Sequence, residues 1–250
     1  MLKLLMLLLL VVPAAAREAR ELPVLCYHQL SPQGEDAMTL RPELFSAHMD
    51  YLKRHGYQPV RLEDARLFLW GKKKLKGKPV LITFDDGYEG VYRYALPVLK
   101  KHKYPAVLFL VVGKIGSPRP TPHLTLRQLK EMKQTGLFEF GSHTYDLHVL
   151  IPERLRLSRV FPDQLLADLK KSRSELKRQL DVEVTALAWP YGHFDDRCLE
   201  LAARAGFTMQ FGTEYGVSRP YDGTLRIRRL RLSSNSNDLA TLRAKLAELY

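Results

Sequence analysis

Short apolar runs rich in β-branched residues alternate with amphipathic helical stretches along most of the chain. The segments 23–27 (PVLCY), 80–84 (VLITF), 106–112 (AVLFLVV), 137–142 (LFEFGS), 184–189 (VTALAW), 207–212 (FTMQFG) and 226–232 (RIRRLRL) read as strands. The last is the weakest, because Arg226, Arg228, Arg229 and Arg231 crowd it. Between the strands, 41–57 carries Leu44, Phe45, Met49 and Leu52 on one helical face and stops at Gly56. Segment 62–70 is a shorter helix, and 90–104 is helical with Pro97 as an expected kink. Segment 125–136 opens on a capping residue and ends at Gly136. Segment 162–180 has a 3.6-residue stripe of Leu165, Leu169, Leu176 and Leu180, and helices over 195–206 and 237–250 complete the set. Strands alternating with helices predict an α/β fold on a mostly parallel sheet, best fitted by a closed or nearly closed β/α barrel. An open doubly wound sheet is the alternative, but no glycine-rich phosphate loop opens a helix.

The length of 250 residues and a 46% hydrophobic content suit one domain with a sizeable core. Residues 1–16 stand apart: one Lys, an apolar run from Leu4 to Val12 and an Ala-rich end have the layout of a signal peptide. The domain is therefore expected over 23–250, in an exported protein of the periplasm, cell envelope or extracellular space. Cys26 and Cys198 are too few for a disulfide framework and read as two buried thiols. The net charge of +12 suits anionic headgroups or glycans. Nucleic acid is excluded as a partner by the scatter of that charge and by export. The densest cluster, 71–78 (GKKKLKGK), reads as a solvated loop.

Parallel β/α folds carry their chemistry at the carboxyl ends of strands. Here those ends hold Tyr27-His28, Asp85-Asp86-Gly87-Tyr88, Ser142-His143-Thr144 with His148 beyond, and Trp189-Pro190-Tyr191-Gly192. Two adjacent carboxylates near imidazoles are explained by a cation: one Asp and two His form a facial set with open positions, and the other Asp stays ionised as a base. A divalent metal lowers the pKa of its water towards neutral, which makes a hydrolytic site. An acidic Mg²⁺ pocket of a phosphoryl-transfer protein is the rival reading of the Asp pair alone. His48, His55, His102, His123 and His193 are not expected to be ligands; His123 ends a Pro-rich loop that can cover the mouth.

With TFDDGY and SHTYDLH on one chain, the sequence resembles the polysaccharide deacetylases of the NodB-homology type, carbohydrate esterase family 4. The resemblance covers nearly all of the chain beyond the leader and implies a distorted (β/α)7-type barrel. It implies Asp85 as catalytic base, Asp86, His143 and His148 as metal ligands, and the Tyr191 backbone N–H as an oxyanion donor. Two departures stand out: the metal histidines are five apart where four is common, and Ala188 replaces an Arg before the third motif. No His follows His193, so the usual late catalytic His is missing; His28 at the end of the first strand takes its place as the acid, an imidazolium, in a circularly permuted motif order. These features are similar to exported poly-β-1,6-N-acetyl-D-glucosamine N-deacetylases of biofilm systems. The resemblance implies a Zn²⁺, Ni²⁺, Co²⁺ or Fe²⁺ ion, an acetylated polysaccharide substrate, a monomer, and an association with the envelope or with exopolysaccharide export machinery. Tyr88, Trp189 and Tyr191 are the expected sugar contacts. A deacetylase of another glycan (chitin oligomers, peptidoglycan or another exopolysaccharide) and a non-catalytic glycan-binding member are the alternatives.

Overall fold

Every second residue of the main strands belongs to the same hydrophobic cluster, and this alternation builds the molecule. A computed structural model describes residues 17–33, 38–118, 120–148, 161–232 and 239–247; the expected leader over 1–16 lies outside them. The principal sheet is wholly parallel and runs β10 (Leu230–Arg231), β1 (Val24–Tyr27), β5 (Lys78–Phe84), β6 (Ala106–Leu110), β7 (Phe138–Ser142), β8 (Ala186–Ala188) and β9 (Met209–Phe211). A parallel bridge from Phe211 to Ile227 ties β9 to the segment entering β10, so the sheet curls into a nearly closed barrel, as expected.

One cluster joins Val24, Leu81, Val107, Phe109, Ala186, Ala188, Met209, Phe211 and Ile227 across the whole curl, and so fills its interior. Helix α2 (Leu62–Leu69) contributes Leu62, Ala65, Phe68 and Leu69 to this cluster and closes the amino-terminal end of the strands. Gly141 faces the same interior, where a Cβ would collide with the Phe109 ring. The alternate strand residues, among them Leu25, Tyr27, Ile82, Phe84, Leu108, Phe140 and Leu187, form the second cluster beneath the outer helices. Those helices are α1 (Pro42–Arg54), α3 (Leu96–His102), α4 (Leu126–Gln134), α5 (Pro162–Leu180), α6 (Asp196–Arg204) and α7 (Leu239–Ala247).

Three details refine the sequence expectations. A short strand, β4 (Tyr57–Pro59), pairs with the first half of β5, and β2 (Gln29–Leu30) pairs with β3 (Thr39–Leu40). The helix expected over 90–104 divides into a π-helical turn, Val91–Ala95, and α3, which starts afresh with Pro97 in its first turn, where no N–H is needed. Helix α4 opens on a full capping box between Thr125 and Gln128. Cys26 and Cys198 are buried free thiols, as expected. No helix among the described residues is long and apolar enough to cross a membrane.

Candidate active site

His28, Asp85 and His143 are each the first residue beyond a strand (β1, β5 and β7), and the two-residue alternation turns all three to the barrel interior. All three are buried at the carboxyl ends. Opposite them, the same alternation in the last strand segment sends Leu230 and Leu232 outward and Arg229 inward.

Arg229 is the residue that the sequence reading missed. Its Nη1 and Nη2 donate to Asp85 Oδ1 and Oδ2, each at 2.7 Å, and its Nε donates to the Gly212 carbonyl at 2.7 Å. Both groups are about 1% exposed. Burial opposes ionisation of Asp85, but the guanidinium outweighs it and holds the carboxyl below its ordinary value. Arg229, the residue just before β10, supplies the guanidinium that Ala188 cannot. The Leu–Arg alternation was the available signal.

Asp86 is held differently. Alternation alone would turn it to the outer face, but it adopts φ 72°, followed by Gly87 at φ 83°, and so joins the interior group. L side chains rarely adopt the Gly87 backbone conformation, so this turn favours glycine. His143 Nε2 and His148 Nε2 stand 3.4 and 2.9 Å from Asp86 Oδ1. Neither approach has hydrogen-bond alignment, and Oδ1 is a buried oxygen with no hydrogen-bond partner among the described residues. Donor atoms from all three lie within 4.8 Å of one another. Burial opposes the Asp86 charge, yet the two imidazoles hold its carboxyl well below the usual range.

His143 Nδ1 lies 2.7 Å from the Ala188 carbonyl, which can only accept, so Nδ1 carries the proton and Nε2 keeps its lone pair. The five-residue spacing to His148 is accommodated by a loop pinned to α5: Asp168 accepts from the backbone N–H groups of Tyr145 and Asp146, at 2.8 and 2.9 Å. A carboxylate and two imidazoles converging without mutual hydrogen bonds fit a divalent cation. Cys26, His28 and Asp85 also lie close together. They do not make a second cation site, because Arg229 takes both Asp85 oxygens and burial pushes the Cys26 thiol up.

His28 Nε2 is 3.9 Å from Asp85 Oδ2. Burial, the largest influence, lowers the His28 pKa below its ordinary 6.5, while the nearby carboxylates act in the opposite direction. Tyr191 has φ 56°, an uncommon value for its residue type, and its ring centroid is 5.0 Å from that of His148. Tyr88 is half-buried, with its ring 4.9 Å from His123. Trp189 is 2% exposed in the outer cluster, and its indole N–H donates to Gln210 at 3.0 Å. Its alternation with Leu187 gives it a packing role in place of the expected sugar contact. His48 pairs with the Tyr27 hydroxyl, His102 with Asp50, and His55 Nδ1 with the Tyr51 carbonyl, away from the ligand set.

Comparison with known proteins agrees with this geometry. Residues 72–210 match the family Polysaccharide deacetylase. The Bacillus subtilis (strain 168) protein YxkH, named as a polysaccharide deacetylase, is 34% identical over 213 residues, which are 85% of this chain and 72% of that protein. A poly-β-1,6-N-acetyl-D-glucosamine N-deacetylase of Staphylococcus aureus (strain MSSA476) is 32% identical over 197 residues, covering 77% of this chain and 67% of its own. The structure of IcaB from Ammonifex degensii is similar at a TM-score of 0.80 and 32% identity, covering 92% of this chain and 98% of that one.

Proposed function

The chain belongs to the polysaccharide deacetylase family, and on that premise we propose that it removes N-acetyl groups from poly-β-1,6-N-acetyl-D-glucosamine after export. The observation that carries this reading is the placement of His28, from the first strand, against Asp85. The similarity to an N-deacetylase of that polymer supports the choice of glycan. The leader over 1–16 supports export to the envelope or beyond, where partners would be the polymer and its export machinery.

Asp86, His143 and His148 would hold the cation: Zn²⁺, Ni²⁺, Co²⁺ or Fe²⁺ by its mixed imidazole–carboxylate donors. When bound, it supplies Lewis acidity to the acetyl carbonyl and lowers the pKa of water. Asp85, kept ionised by Arg229, takes a proton at Oδ2, the oxygen nearer His28, from the water that attacks the acetyl carbon. The Tyr191 N–H donates to the oxyanion that develops on the acetyl carbonyl oxygen. His28, as the imidazolium acid, delivers its proton to the amine nitrogen as the C–N bond to the acetyl carbon breaks. Acetate and a glucosamine unit result. Tyr88 and Tyr191 flank the sugar at the rim.

The test is acetate release from defined β-1,6- and β-1,4-linked N-acetylglucosamine oligomers, before and after chelation. Faster release from the β-1,6 series, abolished by chelator and restored by divalent metal, is expected. Faster release from the β-1,4 series would reassign the glycan. Binding of oligomers without any release would make the chain a glycan-binding member.

A further inference from the structure

We propose that His123 is a substrate-binding residue whose Nε2 accepts a hydrogen bond from a hydroxyl of the N-acetylglucosamine ring; this rests on the glycan reading above. His123 is 6% exposed. Its Nδ1 lies 2.8 Å from the Thr121 carbonyl, so the proton sits on Nδ1 and Nε2 carries the lone pair. That Nε2 is buried and has no hydrogen-bond partner among the described residues. A buried acceptor without a donor is costly, and native structures retain one where a ligand or ion completes it.

The surroundings place this residue beside the turn that carries the two aspartates. The segment ending in His123 is sewn to the turn that follows the two aspartates. Leu124 N donates to the Gly87 carbonyl at 2.9 Å, and Glu89 N donates to the Pro122 carbonyl at 2.9 Å. Tyr88 and His123 face one another in an antiparallel bridge with their rings 4.9 Å apart. Gly87 and Tyr88 directly follow Asp86, so His123 is bridged to a residue two positions beyond Asp86. Burial, the largest influence, lowers the His123 pKa below its ordinary 6.5.

A sugar hydroxyl fits this position better than the acetyl group. The acetyl carbonyl is itself an acceptor and has no use for a second lone pair. The ring hydroxyls beside an acetamido substituent are donors, and a neutral imidazole with a fixed tautomer selects for one of them. With Tyr88 beside it, His123 then offers a sugar one apolar ring face and one polar atom.

His123→Phe keeps the ring contact with Tyr88 and deletes the acceptor. The expected result is a loss in kcat/KM on a β-1,6-linked tri-N-acetylglucosamine that exceeds the loss on 4-nitrophenyl acetate, an acetyl donor without a sugar, by about 10-fold. Equal losses on both, or none on the oligomer, would overturn the assignment. A readout independent of turnover is the imidazole ¹⁵N spectrum of the metal-loaded Asp85→Asn enzyme. The His123 Nε2 resonance, identified by its disappearance in His123→Phe, should move when the oligomer is added; a resonance that stays fixed while the oligomer binds overturns the proposal. If the wild-type protein releases no acetate from any oligomer, the deacetylase reading fails separately, and the spectrum still decides the role of His123.

Discussion

Asp85 and Asp86 are consecutive, share the mouth of one barrel and have opposite electrostatic settings. Asp85 continues the strand, and the protein answers its charge completely with both arms of Arg229. Asp86 leaves the strand through a left-handed turn and meets two imidazoles that approach without hydrogen-bonding it. The lesson concerns division of labour. A carboxylate balanced by the protein's own cation is fixed in place and stays ionised. A carboxylate left short of a cation recruits one from solution. Two like charges side by side are tolerable where each has its own positive group.

The largest effect expected from breaking this contrast comes from Asp86. Asp86→Ala should lose bound divalent metal, measured by elemental analysis, and reduce acetate release to background. Asp85→Asn should keep the metal and lower turnover by about 10²–10⁴-fold, the usual range for a general base. If both variants lost metal equally, the division of roles would be wrong.

Arg229→Met tests the other side of the contrast. It leaves a buried carboxylate uncompensated and should destabilise the protein by about 3–5 kcal/mol in denaturant unfolding at neutral pH. The pH dependence has a definite sign. Asp85 has a depressed folded-state pKa, so its contribution is fully present above the ordinary value of 3.8 and is lost as pH falls through the lower folded-state value. In Arg229→Met the buried Asp85 gains by taking up a proton. The deficit against wild type should therefore shrink on acidification, and a deficit constant with pH would show that Arg229 stabilises by packing alone. Trp189→Phe carries the smallest effect. It leaves the Gln210 side-chain oxygen without its indole donor and should cost about 1–3 kcal/mol of stability, with KM for the oligomer unchanged. A raised KM would return Trp189 to the sugar.

Much of the architecture was legible because buried parallel strands are nearly continuous apolar runs, and helix α5 coincided with its leucine stripe over 162–180. Strand β4 was not legible: three residues ending in Pro59 carry no periodicity of their own. The Asp86, His143 and His148 group was visible as polar residues at strand ends. Arg229 was hidden because four arginines in one segment look like an obstacle to burial, and only the partner Asp85 makes one of them welcome inside. Trp189 misled for the opposite reason, since an aromatic beside a motif suggests a ligand, whereas its register with Leu187 points it under the helices. His123 was read as a loop residue, and nothing in its sequence context signals the hydrogen bond that fixes its tautomer.

The clamp on Asp85 spans 144 residues of sequence. Its consequence concerns order of synthesis. His28, both aspartates, His143 and His148 leave the ribosome well before the Arg229 guanidinium that pairs with the buried Asp85. A chain stopped short of the final strand would hold every conspicuous motif and still lack a stable, ionised Asp85. The residue just before the tenth strand, itself only two residues long, thus completes the setting of a base supplied by the fifth.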